Sequence, residues 1–309
     1  MPEITGRPDR VWEEFATPES FEKMKEERQA ATKAWNEKIS NTRYTLRNIN
    51  EAIDKAGAAG IITSYWSKEN GSNKIFGTTS KKAPVVDLCL EDYGMLYRLV
   101  KSGQKPVLNL KVENSGKGTT PTFNTVATIP GTEKADEFVI LSAHLDSWDG
   151  GTGATDNGTG TIAMMEAARI LKEVYPNPKR TIIIGHWGSE EQGLNGSRAY
   201  VEDHPEIIAK TTAIFNQDNG TGRVVNISGQ GFLHAYDYLG RWLQAVPQDI
   251  RKHINTHFPG YPSSGGTDHA SFVAAGAPGF MLSSLNWQYG PVTWHTNLDT
   301  YDKIIFDDV

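Results

Sequence analysis

Residues Phe138 to Gly160 read FVILSAHLDSWDGGTGATDNGTG. An apolar run, Phe138 to Leu141, has the length of a buried strand, and a Gly-rich turn follows before a helical pattern begins. His144, Asp146 and, ten residues on, Asp156 fall where that strand would stop. An imidazole and two carboxylates at the exit of a buried strand suit a divalent cation, because zinc takes neutral nitrogen and anionic oxygen ligands.

Two further stretches follow the same plan. RTIIIGHW (Arg180 to Trp187) leads to Glu190 and Glu191, and TTAIFNQD ends in Asp218, so three strands deliver ionisable side chains to one edge. Loops add Asp156 and, from PVTWHTNLDT, His295. Carboxylates repel one another and resist desolvation, so burying five such groups together without a cation would be costly. Helical patterns recur between the strands. Thr159 to Val174 carries Ile162, Met165, Ala168, Ile170 and Leu171 at near-helical spacing, and others lie around 193–203, 233–243 and 268–275, before a last strand GFMLSS. This alternation predicts an α/β fold, three αβα layers around a mostly parallel mixed sheet, with ligands beyond the carboxyl ends of its strands. FNTVATI and FVILSAH, joined by the turn PGTEKADE, are expected to pair as a hairpin.

The region before this core reads differently. Residues 18–55 are rich in Glu, Lys, Arg and Ala and predict one or two amphipathic helices with a solvated charged face. Strands are expected at 57–67, 83–90 and 107–114, with a helix at 91–102 and a linker at 115–122. Two units follow from this, an accessory α+β region over 1–118 and a catalytic domain over 119–309. With a formal charge of -6 there is no electrostatic reason to expect nucleic acid. The single cysteine, Cys89, rules out an intramolecular disulfide framework and thiolate clusters and is expected to fill the strand VVDLCL. No stretch approaches the roughly 20 apolar residues of a membrane span, and the first 30 residues are too polar for a signal peptide.

HLDSWD, GATDNGTG, SEEQGLNGS, NQD, GGTDHASF and WHTNLDTYD, in that order, resemble the co-catalytic zinc exopeptidases, a family of aminopeptidases, glutamate carboxypeptidases and glutaminyl cyclases. HLDSWD resembles most the carboxypeptidase Q (plasma glutamate carboxypeptidase) branch. The resemblance runs from about Phe123 to Asp302, and GAAGIITSYW to VENSG more weakly resembles the protease-associated lid of that family. It implies two zinc ions (Zn2+) per chain, one held by His144 and Asp218, the other by Glu191 and His295, with Asp156 bridging and a cis peptide after it. Glu190 would be the general base and Asp146 would accept the imidazole N–H of His144. Asp268 and His269 would lie near the substrate. A peptide substrate, a homodimer and a secreted or periplasmic location are further implications. The family's segments before the lid and after the final histidine are expected to be missing, so the chain reads as a fragment at both ends.

Rival readings remain open at this point. Asp156 is also a natural turn aspartate in Asp-Asn-Gly, Asp268 a helix N-cap, and Glu190 with Glu191 a pair of solvated glutamates opening a helix. His186 reads as packing, and His204, His234, His253 and His257 as surface residues. GGTGATDNGTG lacks the Lys of a phosphate-binding loop. A single-zinc glutaminyl cyclase or another amidohydrolase, and a non-catalytic receptor-like relative, are the alternatives in function.

Overall fold

The computed structural model describes residues 16–45, 48–65, 69–113 and 115–309. Helix α1 (Pro18–Thr42) starts where Thr17 accepts the Ser20 backbone N–H and Pro18 occupies the first turn; none of its residues is buried. Helix α2 (Ile49–Lys55) carries Asp54, whose carboxylate accepts the N–H groups of Lys81, Lys82 and Ala83 at 2.8, 3.1 and 2.8 Å. Two short strands, β1 (Ile61–Thr63) and β2 (Val85–Asp87), form a sheet of their own.

Several expectations for this region need correction. The strand expected at 57–67 is confined to Ile61–Thr63, and its residues 66–67 lie outside the described residues. The strand expected at 83–90 stops at Asp87, and helix α3 (Leu90–Lys101) begins with Cys89 at its N-cap, so this thiol does not fill a strand. Residues 107–113 form no strand, and Asn114 is not described. Val107, Leu108, Leu110 and Val112 are all exposed, on both faces of the alternation, and among the described residues no neighbour supplies the ladder that a strand needs. The described residues gather into two compact units. One runs up to Thr63 and adds Thr78–Val86; the other takes Ser64–Gly77 with Asp87–Val309. Residues 69–77 and 87–113 thus group with the large sheet rather than with the accessory region expected at 1–118.

The large sheet has seven strands, β3 (Thr125–Ile129), β4 (Lys134–His144), β5 (Arg180–Trp187), β6 (Thr211–Asn216), β7 (Val224–Ser228), β8 (Asn255–His257) and β9 (Gly279–Ser284). Their order is β3-β5-β4-β6-β9-β7-β8. The inner block β5-β4-β6-β9 is parallel, with His144 opposite Trp187 and Ser142 opposite Asn216, while β3 runs antiparallel to β5 and β7 to β9. The expected hairpin is therefore absent: β5 lies between β3 and β4. The turn that joins them crosses the start of β5, where Thr132 N–H donates to Pro178 O and Lys134 N–H to Lys179 O. Gly131 makes this crossing feasible, because a Cβ there would stand 2.6 Å from the Thr181 backbone nitrogen.

Both faces of the inner strands are covered, which explains their uninterrupted apolar runs. Ile140, Ile183, Trp187, Ile214 and Phe272 pack on one face, with Tyr200 from helix α5 (Asn195–Asp203). Ala143, Ile182 and Ile184 pack on the other, against Met164, Ala168 and Leu171 of helix α4 (Thr159–Val174). Ile162, Met165 and Ile170, apolar positions of the same helix, stay exposed. A third cluster joins Ala213, Ile227 and Phe280 to Leu239 of helix α6 (Ala235–Ala245). Among the described residues no helix is long and apolar enough to cross a membrane.

Candidate metal centre

Because β4, β5 and β6 are parallel neighbours, their carboxyl ends share one edge of the sheet, and the side chains that follow them meet there. His144 closes β4 and is 1% exposed. Its Nε2 lies 3.2 Å from Asp218 Oδ1, two residues past β6, and 3.4 Å from Asp156 Oδ1. On the other side of Asp156, His295 Nε2 lies 3.7 Å from Asp156 Oδ2 and 3.0 Å from Glu191 Oε2. One carboxylate therefore turns one oxygen to each of two His-carboxylate pairs. Glu190 joins the first pair: donor atoms of His144, Glu190 and Asp218 lie within 4.8 Å of one another, as do those of His144, Asp156 and Glu191.

Asp156 is held by its surroundings. It sits in a kinked turn (Ala154–Gly158) with φ -131° and ψ 83°, and the Asp156–Asn157 peptide is cis. The Asp299 carboxylate accepts the N–H groups of Thr155 and Asp156 at 2.7 and 3.0 Å, and its main-chain oxygen accepts Thr152 N–H at 2.7 Å. Asn157 Nδ2 donates to Gln217 O at 2.9 Å, tying the turn to the strand end that carries Asp218. Gly160 leaves room for that bond, since a Cβ there would fall 2.2 Å from Asn157 Oδ1. Sequence reasoning assigned no role to Asp299 or Asn157. The only signal for Asp299 was its place inside WHTNLDTYD, four residues past His295.

Asp146 acts through two groups. Asp146 was expected to accept the His144 imidazole N–H, and its main-chain oxygen stands in that position, 2.8 Å from Nδ1, with the carboxylate at 3.7 Å. A ring protonated at Nδ1 leaves Nε2 bare toward Asp156 and Asp218. The Asp146 carboxylate instead accepts the backbone N–H of Glu190 at 2.9 Å and of Glu191 at 3.2 Å. Ser189, just before them, adopts a left-handed φ of 59°, and this sharp turn presents both glutamates to the sheet edge.

The electrostatics are those of a crowded acidic centre. Burial opposes charging of His144, but Asp218, with Asp146 and Asp156, outweighs it and holds the imidazole well above its usual range. Burial, aided by Asp218, pushes Glu190 up to about 9, and burial also raises Glu191 against the pull of His295. Asp218 is lowered despite its burial, chiefly by His144. Asp156 Oδ2 and Glu191 Oε1 are buried without a hydrogen-bond partner. For a tetrahedral zinc at about 2.0–2.1 Å from its ligands, neighbouring donors stand about 3.3 Å apart. The four separations given above bracket that value, and the nitrogen and oxygen donor set suits zinc, so the residues fit the metal.

The remaining sequence candidates fall nearby or away. Asp268 and His269 open helix α7 (His269–Ala274) and are 0% and 1% exposed. Asp268 stands at the N-cap position yet makes no capping bond, and burial lifts it to about 7; the Ser197 hydroxyl that acts on it is itself engaged with Ser271 at 2.8 Å. Burial lowers His269 to about 4. His186 is buried within β5, and His234, His253 and His257 are exposed, with His204 half-buried.

The sequence profile of Peptidase family M28 matches residues 124–308, more than half of the chain. The chain belongs to this family. Among the relatives of this M28 chain are carboxypeptidase Q of Rattus norvegicus, 34% identical over 67% of this chain and 43% of that protein, and of Mus musculus, 30% identical over 80% and 52%. The M28 chain spans about half the length of these curated relatives. A crystal structure of a peptidase M28 precursor from Shewanella amazonensis SB2B superposes with a TM-score of 0.72 at 26% identity, covering 83% of this chain and 58% of that one. A zinc aminopeptidase from Bacillus subtilis shares the M28 fold, with a TM-score of 0.56 at 22% identity over 86% of this chain and 64% of that one.

Proposed function

We propose that this chain carries the catalytic centre of a zinc-dependent exopeptidase that hydrolyses the peptide bond next to a free terminus in dipeptides or short peptides. The observation that supports it most is Asp156, whose two oxygens face separate His-carboxylate pairs, with Glu190 beside them. In this reading His144 and Asp218 would hold one zinc and Glu191 and His295 a second, with Asp156 a candidate ligand to both. Bound zinc supplies Lewis acidity, polarising the scissile carbonyl and making an attacking water acidic near neutral pH.

Glu190 is the general base. Its raised pKa marks a carboxylate in a site poor in solvent, and a neighbouring cation would draw it back toward ionisation at working pH. A Glu190 carboxylate oxygen takes the proton of the attacking water and then passes it to the leaving amine, so the residue ends the cycle as it began. Asp146 orients this work by fixing the main chain of Glu190 and Glu191. Asp268 is fully enclosed and close enough for its charge to act on Glu190.

The test is E190Q. It should retain the zinc content of the parent while turnover of a dipeptide panel falls about 10²- to 10⁴-fold. Near-parental turnover would overturn the base assignment, and one zinc per chain in the parent would favour the glutaminyl cyclase type.

A further inference from the structure

His295, like Asp156, comes from a loop rather than a strand end. It has a left-handed φ of 55°, and its loop is tied to a segment more than 200 residues earlier. Ile75 N–H donates to His295 O at 2.7 Å, and Lys74 forms an isolated antiparallel bridge with Thr296. Asn73 N–H donates to Asn297 Oδ1 at 2.8 Å, and Asn297 Nδ2 to Gly71 O at 3.2 Å. The Phe76 ring packs on the imidazole with centroids 4.9 Å apart.

Lys74 stands at the centre of this strut and is 6% exposed. Its Nζ donates to Gly290 O at 3.1 Å and to Trp294 O, and lies 4.7 Å from the centroid of the Trp294 ring. The two carbonyls belong to the turn that precedes His295, so one buried ammonium ties together the main chain leading into the imidazole. Burial works against this ammonium and pushes it down to about 8, with Asp156 pulling the other way; the carbonyl oxygens and the aromatic face offset part of that cost, and an apolar replacement would strand both carbonyls.

We propose that Lys74 is a positioning residue for the half of the metal centre that His295 serves, an assignment that rests on the two-zinc reading above. The Lys74 ammonium fixes the Gly290–Trp294 turn, the Asn73–Phe76 segment fixes the residues on either side of His295, and together they aim Nε2 at Glu191 and Asp156. His144 is placed instead by β4 and by the Thr161 hydroxyl, which donates to His144 O at 2.8 Å, and neither involves the Asn73–Phe76 segment. Loss of Lys74 should therefore weaken one zinc and spare the other.

The experiment titrates zinc into the metal-free full chain and into K74M, N297A and H295A, with circular dichroism reporting folding. Parent protein should take two equivalents, and H295A should lose one. K74M should bind that same equivalent about ten- to a hundredfold more weakly, with the first unchanged. N297A, which cuts another limb of the strut without leaving a buried charge or carbonyl, should show the same loss more mildly. Parent protein with a single equivalent would bring down the two-zinc reading itself. If the parent takes two and K74M binds both with parental affinity, the role of Lys74 is refuted; if K74M does not fold, parental affinity in N297A refutes it.

Discussion

Asp299 accepts the main-chain N–H of Asp156 at 3.0 Å, so the carboxylate that faces both His pairs is carried on a backbone gripped by a second carboxylate. Asp299 also holds Thr155 N–H and is 3% exposed, although burial raises its pKa. D299A leaves both amides without a partner, and hydrogen bonds of this charged kind contribute about 1.5–3 kcal/mol each. Denaturant melts should show a loss of about 3–6 kcal/mol in D299A, and a smaller one in D299N, which keeps one acceptor.

Asp146 ties Glu190 and Glu191 to the end of β4. Burial works against its charge, but His144 and the two amides keep the carboxyl below the usual range. In D146A the left-handed turn at Ser189 loses this tether and Glu190 loses its aim. Turnover should fall about ten- to a hundredfold, with the circular dichroism spectrum unchanged.

Asp268 gives a pH signature in the metal-free protein. Its folded pKa, raised to about 7, lies above the ordinary 3.8 of the unfolded chain. The folded state therefore holds the proton where the unfolded state has released it, and stability falls as pH rises from about 4 to about 7. D268N, neutral throughout, should match the parent near pH 4 and exceed it at pH 8, by roughly 4 kcal/mol at most. His269 works in the opposite sense between its lowered value of about 4 and its ordinary 6.5, with stability rising as pH rises. Comparing parent and D268N across pH by chemical denaturation isolates the aspartate.

The strand ends were legible because β4, β5 and β6 are apolar on both faces and each run stops where charge begins. Two steps of elementary reasoning then place His144, Glu191 and Asp218 on one edge. The neighbour of β3 was not legible: a turn with Pro and Gly is the same signal whether the chain folds back on itself or, as at Gly131, crosses an incoming strand. Asp146 was chosen for its spacing from His144, but which of its oxygens meets the ring depends on a main-chain path that spacing does not encode. Asp299 and Lys74 act across about 140 and 220 residues through main-chain amides and carbonyls, which have no sequence identity to read. In α4, near-helical spacing marked Ile162 and Met165, while the sheet took Met164 instead, since period alone does not say which side is covered.

The sharing of Asp156 is the central claim, and the zinc content of D156A measured beside the parent tests it most directly. The account predicts two zinc ions per chain in the parent and, because each His-carboxylate pair loses its third ligand, fewer than one in a folded D156A. A folded D156A that still holds two would contradict it.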